Sequence, residues 1–456
     1  MSLQQMTMDE VRRLDEQAFG ERIYQVLSPS TPIQSTEFLF GRDNQLDRIR
    51  RALMAPGRQI FIYGERGVGK SSLANAAAAQ YQSSDADPIN VSCSKDATFH
   101  SVVWALIKAT NTEPMGTVSV KTEGHIRTSN VGISRQYDET TPAAAQPLNI
   151  EEAAVRLDMA FERYSSQTIA VIDEFDSIPD ALERNRFAEL LKALGDRNSR
   201  VKLIFTGVAS SLDELLASHG SAHRQLDTVE LSRLDVQPRI DIVKKALKAF
   251  DVEADMGVIY RIANVSNGFP YYVHLMAEHL LWVWFEDPSA EMIDLPHLHK
   301  AFAKACEAVH AELRKPYEQA TQGRDHAAYV LWAAADAYDL ERTAEAIWKS
   351  YSAICEALPV DPLERKKVTE LLRRLRDESH ASILDSNTAR RLHWYKEPME
   401  RGYVRMVAAR KNIALDDQNF DAPPQVMHVP RASHRKRWYD TDAFLPPVQM
   451  GSGKRK

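Results

Sequence analysis

The segment from Gly64 to Ser71 has the residue types and the spacing of a phosphate-binding loop. It reads Gly-Glu-Arg-Gly-Val-Gly-Lys-Ser: a glycine, four further residues and then Gly-Lys-Ser. An apolar run at 59–63 precedes it and predicts a buried strand, and small residues at 71–80 follow it and predict a helix. In such a loop, backbone N–H groups wrap around phosphates and the helix N-terminus adds its dipole. The segment therefore predicts a nucleotide site, and we call it the P-loop.

Lys70 and Ser71 carry the specific chemistry of the P-loop. Lys70 is expected to reach the β- and γ-phosphates and to act in catalysis, and Ser71 is expected to ligate Mg²⁺. The predicted ligands are therefore ATP and Mg²⁺. The residues here that are predicted to bind the nucleotide are Gly64, Glu65, Arg66, Gly67, Val68, Gly69, Lys70, Ser71 and Ser72.

Two adjacent carboxylates end the apolar strand predicted at 168–173. Asp173 is expected to join Ser71 in holding the Mg²⁺ shell, and Glu174 is expected to polarise the attacking water as general base. An exposed acidic strand end is the alternative reading, and the P-loop earlier in the chain favours the catalytic one.

Thr206 and Arg224 are two further catalytic candidates. Thr206 ends the next predicted strand, where its hydroxyl would sense the γ-phosphate or the water, or would bond only to backbone. Arg224 precedes the strand predicted at 227–231. It either reaches the γ-phosphate of a neighbouring subunit or is an ordinary surface arginine.

The composition is that of a globular protein with two or three domains. The chain has 456 residues, 44% of them hydrophobic, and a formal charge of −6, which excludes a wholly basic nucleic-acid-coating protein. Cys93, Cys306 and Cys355 lie far apart, which argues against a zinc site or a disulfide framework and favours a reducing cytoplasm. The apolar run 280–285 is far shorter than the ~20 residues that cross a bilayer, so no membrane association is expected.

Strands and helices alternate from 59 to 231, which predicts an α/β fold with a parallel sheet and helices on both faces. The polar segment 111–148 is expected to be an insertion. Residues 236–314 predict four helices and no clear strand. The predicted domains are an N-terminal helix and linker (1–35), a P-loop core (36–234), a helical lid (235–316), a winged helix (317–415) and a flexible basic tail (416–456).

Three helices followed by two short strands predict the winged helix. In the helix predicted at 364–378, apolar residues form one stripe and basic residues lie largely off it, as in a recognition helix that enters a major groove. Arg401 and Arg405 of the next helix add to the predicted basic surface. Acidic residues on the helix predicted at 364–378 leave a protein partner as the alternative. The predicted DNA-binding residues are Lys366, Lys367, Arg373, Arg374, Arg390 and Arg391.

From about 36 to 314, these motifs together resemble the AAA+ ATPases and the related STAND NTPases. Phe40-Gly41-Arg42 resembles the adenine-side box of these proteins. Thr206 and Arg224 stand where the family has its sensor-1 residue and its arginine finger. The turn Gly268-Phe-Pro270 is similar to the GxP signature of STAND proteins and has no sensor-2 arginine. Gly268 and Pro270 are expected to lie beside the adenine, although a simple proline helix start is the alternative.

The order of P-loop core, helical lid and winged helix resembles the origin-recognition ATPases of archaea and eukaryotes. This resemblance implies a slow ATPase, converting ATP and water to ADP and phosphate, that acts as a molecular switch and binds duplex DNA. The alternative is an ATP-dependent oligomerising signalling scaffold whose winged helix binds a protein partner. Either function would involve a homo-oligomer or a protein partner.

Overall fold

The computed structural model describes residues 6–29, 39–110, 148–218, 222–337, 340–387 and 389–415. The chain divides into two compact units, Met1–Asp416 and Asp417–Lys456. The second unit and the tail predicted at 416–456 lie outside the described residues. Nearly all of the insertion predicted at 111–148 lies outside them too.

Two helices begin the described chain, α1 (Met8–Arg12) and α2 (Glu16–Val26). The Thr7 side chain accepts a hydrogen bond from Glu10 N, and the Glu10 side chain accepts one from Thr7 N. A single N-terminal helix was expected from the apolar spacing, and this expectation is wrong. The helix is interrupted before Asp15. The Asp15 carboxylate caps α2 by accepting a hydrogen bond from Ala18 N at 2.7 Å.

A five-stranded sheet in the order β2-β3-β4-β1-β5 forms the centre of the P-loop core. All of its strand pairs are parallel, which confirms the predicted sheet. Because β4 lies between β1 and β3, the P-loop and the acidic strand end lie at the same edge, with the end of β4 between them. The strands are β1 (Gln59–Gly64), β2 (Ile89–Ser92), β3 (Ile169–Asp173), β4 (Lys202–Gly207) and β5 (Leu226–Leu231).

Helices cover both faces of this sheet. Along β1, Ile60 and Ile62 join one apolar core and Phe61 joins the other, as the two-residue period of a strand requires. The expected layers of helix, sheet and helix are therefore present. The helices around the sheet are α3 (Asp43–Met54), α4 (Lys70–Tyr81), α5 (Phe99–Ala109), α6 (Ile150–Tyr164), α7 (Ala181–Asp196), α8 (Ala209–Ser218) and α9 (Ala222–Gln225).

A helical segment follows the sheet. Its helices are α10 (Val236–Ala249), α11 (Met256–Val265), α12 (Pro270–Phe285), α13 (Leu295–Ala308) and α14 (Ala311–Thr321). The expectation of no strand here is wrong, because β6 (Glu253–Ala254) pairs with β7 (Met292–Ile293). Four helices were expected here and five are present among the described residues, because the last one, expected at 295–313, is divided. Helix α13 ends at Ala308, since Val309 takes an extended backbone (φ −58°, ψ 139°) with its side chain in the core.

The C-terminal segment consists of four helices and a small sheet. The sheet is antiparallel in the order β8-β10-β9. Its elements are α15 (Asp325–Ala335), β8 (Arg342–Thr343), α16 (Ala344–Ala357), α17 (Arg365–Arg374), β9 (Leu384–Asn387), β10 (Leu392–Tyr395) and α18 (Pro398–Arg410). The two predicted strands are confirmed, β8 was not foreseen, and α17 ends four residues earlier than expected. No helix of the described residues is long and apolar enough to span a membrane.

Helix α18 is buried, which corrects one expectation. Arg401 and Arg405, assigned above to the basic surface, are only 1% and 2% exposed. Arg401 donates to the Asn267 side chain and to the carbonyl oxygen of Ala337, and Arg405 donates to the carbonyl oxygen of Ala335 at 2.8 Å. These arginines join α18 to the helical segment and to the end of α15, so they offer no surface to DNA.

Candidate functional site

The glycines of the P-loop are required by its backbone. Gly67 and Gly69 have φ of 82° and 96°, a left-handed conformation that other residues rarely adopt. At Gly64, a Cβ atom would lie 2.2 Å from the carbonyl oxygen of Leu231, so only glycine allows the end of β5 to come this close. The loop between β1 and α4 is therefore a tight turn of the kind that places N–H groups around phosphates.

Lys70 and Ser71 begin α4 and face the acidic end of β3. Lys70 Nζ donates to the carbonyl oxygens of Gly64 and Glu65, at 3.1 and 2.8 Å, and burial lowers the pKa of this lysine. Ser71 Oγ donates to Asp173 Oδ1 at 2.9 Å. A hydroxyl and a carboxylate in contact are the oxygen ligands that Mg²⁺ takes beside phosphates. The residues predicted for nucleotide and metal thus come together and fit both.

Thr206 lies between the P-loop and the acidic pair, at the end of β4. Its hydroxyl donates to Asp173 Oδ1 and accepts from Glu174 N at 3.1 Å, and the residue is 1% exposed. The pairing of β3 with β4 places Thr206 beside Asp173. The hydroxyl holds the two carboxylate residues in position, whereas a sensing role toward the γ-phosphate stays a prediction.

Glu174 has a left-handed backbone, with φ of 54°. Its N–H group donates to Asp173 Oδ1 as well as to Thr206, which holds this less favourable conformation. Burial, followed by the neighbouring Asp173, raises the pKa of the Glu174 carboxyl. A raised pKa makes its carboxylate a stronger base, as the abstraction of a proton from water requires.

Arg42 stabilises the P-loop through a hydrogen bond to its backbone. It is 5% exposed and donates to the carbonyl oxygens of Val68, at 3.1 Å, and Ser232, at 2.8 Å. Burial lowers its pKa to about 10. Sequence reasoning placed this residue beside the adenine, but its guanidinium ties the P-loop to the segment after β5. A contact with the nucleotide stays a prediction for Phe40, Gly41 and Arg42.

The turn before α12 meets the P-loop. Gly268 has φ of 85°, and a Cβ atom on it would lie 3.0 Å from the carbonyl oxygen of Leu234. Pro270 begins α12, and its Cγ atom lies 3.8 Å from the position of a Cβ built on Gly69. Pro270 therefore brings the helical segment close to the P-loop, whereas Gly268 packs against Leu234 of the segment after β5.

Met399 was missed by the sequence reasoning. A Cβ atom on Gly67 would lie 2.2 Å from Met399 Sδ, so the methionine side chain lies on the P-loop. Tyr272 of α12 donates its hydroxyl hydrogen to the carbonyl oxygen of Met399 at 2.8 Å. A single methionine in the first turn of a helix has no motif that would have identified it.

Arg224 is not part of the site in its own chain. Its α9 leads into β5, and Leu226 of β5 pairs with Gln59 at the start of β1. The P-loop follows the other end of β1, roughly 17 Å away at about 3.3 Å per strand residue. The Arg224 side chain is exposed at that remote edge.

The six predicted DNA-binding residues are all exposed. They lie on α17 and on the turn between β9 and β10, on the surface of the C-terminal segment. Among the residues that the structure describes, no group of three or more His, Cys, Asp or Glu side chains is arranged to hold a metal ion.

Comparison with solved structures finds similar folds at low identity. The Walker-type ATPase PABY2304 of Pyrococcus abyssi has a TM-score of 0.48 and 14% identity, covering 82% of this chain and 99% of that one. The ORC2 protein of Aeropyrum pernix has a TM-score of 0.47 and 13% identity, covering 86% and 98%. Cdc6p of Pyrobaculum aerophilum has a TM-score of 0.42 and 15% identity, covering 85% and 98%.

No curated protein sequence matches the chain. A protein-family model does match, and it covers more than half of the chain, from residue 24 to residue 333. This range contains the P-loop, the acidic pair after β3, Thr206 and the Gly268–Pro270 turn. The chain belongs to the Novel STAND NTPase 1 family.

Proposed function

We propose that the protein is a slow ATPase that works as a molecular switch and binds duplex DNA through a winged helix at 317–415. The observation that carries this proposal is the contact of Met399 with Gly67, because it connects the nucleotide loop to the C-terminal segment. Helix α18 starts at the P-loop only three residues after β10 ends. A change at the phosphates therefore has a short path to the hairpin that carries Arg390 and Arg391.

In the ATPase half of this proposal, each polar side chain of the site has one task. The N–H groups of the P-loop and Lys70 bind the phosphates. Mg²⁺, held by Ser71 and Asp173, would neutralise charge on the phosphate oxygens. Glu174 accepts a proton from the attacking water, while Thr206 keeps Glu174 and Asp173 in register. In an oligomer, Arg224 reaches the γ-phosphate of a neighbouring copy, since it is remote from the site of its own chain.

The DNA half rests on the exposed basic residues of α17 and the β9–β10 turn. Val368 and Leu372 of α17 are each 1% exposed, and they anchor the helix in the core. The opposite side of the helix is left free to enter a major groove. Basic residues that contact phosphates release counterions, so the affinity for DNA should fall steeply with salt.

ATP hydrolysis by the full chain, with and without a duplex of mixed sequence, tests the proposal. We expect DNA to stimulate hydrolysis, and we expect Glu174→Gln to abolish the stimulated rate while nucleotide binding persists. A rate that is indifferent to DNA would contradict the coupling. Undiminished hydrolysis in the Glu174→Gln variant would contradict the assignment of the general base.

A signalling scaffold is the second candidate, and the turn at Gly268 and Pro270 favours it. Pro270 of this turn lies close to Gly69 of the P-loop, and the turn belongs to the region covered by the family model. In this function, ATP holds an oligomer and the C-terminal segment binds a protein partner. Mass measurement in solution with ATP and with ADP separates the two candidates. Equal mass in both states, together with DNA binding, would contradict the scaffold.

A further inference from the structure

An open cavity of about 610 Å³ lies between α17 and the β9–β10 hairpin. Cavities of this size hold small ligands or part of a larger one. Four basic side chains line it, namely Lys366, Arg373, Arg376 and Arg391. Lys366 and Arg373 are seven residues apart and share one face of α17, Arg376 follows the helix, and Arg391 precedes β10.

The charge of this cavity favours an anion. Its acidic lining residue, Glu370, accepts a hydrogen bond from Arg374 at 2.6 Å and forms an ion pair with it. Arg374 is not among the lining residues, so the negative charge of Glu370 is balanced from outside. The four basic side chains of the lining are therefore left to attract a ligand of opposite charge.

Two buried polar atoms of the lining have no hydrogen-bond partner among the described residues. They are Arg376 Nε and His393 Nδ1. The Arg376 guanidinium is held at the cavity, because its Nη1 donates to Ser386 Oγ at 2.5 Å. Burial, together with Arg376, lowers the pKa of His393, so this ring is neutral at pH 7. A buried donor without a partner is destabilising, and an acceptor from a ligand would satisfy it.

We propose that this cavity binds a phosphate group, carried by a duplex DNA backbone or by a small phosphorylated compound. Guanidinium groups match phosphate oxygens with paired N–H donors, and the cavity presents three arginines and a lysine to one space. The DNA form of this proposal rests on the proposed function. The proposal of an anion site does not rest on it, because the positive charge of the cavity and the unpartnered Arg376 Nε favour any anion with several oxygens.

The chain supplies matched controls for the test. Arg365 and Lys366 are adjacent on α17, and Arg391 and Lys396 flank β10. All four are exposed, but only Lys366 and Arg391 line the cavity. The cavity variant Lys366→Gln/Arg391→Gln and the control variant Arg365→Gln/Lys396→Gln therefore remove the same charge from the same two parts of the C-terminal segment. Circular dichroism of both variants checks that the fold is retained.

The first probe is a fluorescently labelled duplex of about 20 base pairs, titrated with the full chain at several salt concentrations. We expect the cavity variant to lose about tenfold or more in affinity and its salt slope to fall by about one for each lost phosphate contact. The control variant should lose less than about threefold, since only long-range attraction changes.

The second probe is inorganic pyrophosphate, measured by calorimetry on chains that also carry Lys70→Ala, so that the P-loop does not compete. The cavity variant should lose this binding and the control variant should keep it. If both probes distinguish the two variants, the ligand is a backbone phosphate. If only pyrophosphate does, the ligand is a small phosphorylated compound, and the DNA half of the proposed function fails while the cavity stands.

Two results would overturn the proposal that this cavity is a phosphate site. Equal losses of both DNA affinity and pyrophosphate binding in the cavity and control variants would assign phosphate binding to the basic surface as a whole. Failure of the unmodified chain to bind either probe would remove both the cavity and the DNA half of the proposed function.

Discussion

The side chain of Met399 lies directly on Gly67 of the P-loop. A Cβ atom built on Gly67 would be 2.2 Å from the methionine sulfur. The carbonyl oxygen of the same methionine accepts a hydrogen bond from Tyr272 of α12 at 2.8 Å. The nucleotide loop, the helical segment and the C-terminal segment therefore meet at one residue.

The Gly67→Ala variant should bind nucleotide at least tenfold more weakly. Its methyl group would collide with Met399, and its backbone would have to keep a φ of 82°, at about 1–3 kcal/mol. Removing the collision in Gly67→Ala/Met399→Ala should restore only part of the affinity, because the backbone strain remains. Titration with a fluorescent ATP analogue measures all three chains. Unchanged affinity in the single variant would refute the contact.

The Arg42→Ala variant should lose stability and should weaken ATP and GTP binding by the same factor. The change removes the donor from the carbonyl oxygen of Val68, in a buried hydrogen bond, and from that of Ser232, in a partly buried one. This predicts a loss of about 1–3 kcal/mol in the free energy of unfolding. Urea denaturation measures the stability, and competition with both nucleotides measures the affinities. A loss confined to ATP would instead place Arg42 against the adenine base.

The rate of ATP hydrolysis should fall as the solution is made more acidic. The midpoint of this fall should lie above pH 4.5, the ordinary pKa of a glutamate. Burial raises the pKa of Glu174, so protons neutralise this base at a higher pH than usual. The rate depends on the ionised form and is lost as pH falls through the raised pKa. The Glu174→Gln variant should be slower by about 10²-fold or more and should lack this acid limb. If the Glu174→Gln variant shows the same fall in rate at acidic pH, Glu174 is not the group whose protonation causes it.

The Thr206→Val variant should hydrolyse ATP about 10-fold to 100-fold more slowly with little change in ATP affinity. Valine removes the hydroxyl that bonds to Asp173 Oδ1 and to Glu174 N, and so releases the left-handed backbone of Glu174. Thr206→Ser keeps the hydroxyl and should restore most of the rate. Equal rates in the Val and Ser variants would show that the hydroxyl positions nothing needed for hydrolysis.

Glu400, next to Met399, should make the folded protein less stable as pH rises. Burial raises the pKa of this carboxyl to about 8, well above its ordinary value of 4.5, and its Oε2 atom has no hydrogen-bond partner among the described residues. The folded chain keeps the proton that the unfolded chain has lost. Stability should therefore fall between about pH 4.5 and pH 8, on the order of 5 kcal/mol in total.

The Glu400→Gln variant isolates this effect, because its amide does not titrate. It should be more stable than the natural chain at pH 8 and close to it at pH 5. Thermal unfolding at both pH values measures the difference. A difference that does not change with pH would refute the buried, protonated carboxyl.

The P-loop and the acidic pair were readable from sequence because each is contiguous and has a local physical cause. Eight successive residues contain the glycines that the turn needs and the Lys70–Ser71 pair. The apolar run before Asp173 is buried on both faces of a parallel strand, which makes it nearly continuous in hydrophobicity. The parallel sheet followed from the alternation of strands and helices, whereas the order of its strands came only from the structure.

The roles of Arg42, Met399, Arg401 and Arg405 were decided only by the tertiary structure. The partners that define them are distant in sequence: Arg42 donates to Ser232, 190 residues away, and Arg405 to Asn264, 141 residues away. A local pattern assigns a basic residue to the surface, since an unpaired buried charge is costly. Here carbonyl oxygens from other elements compensate these arginines, so the packing of α18 against the helical segment determined which charges stay exposed.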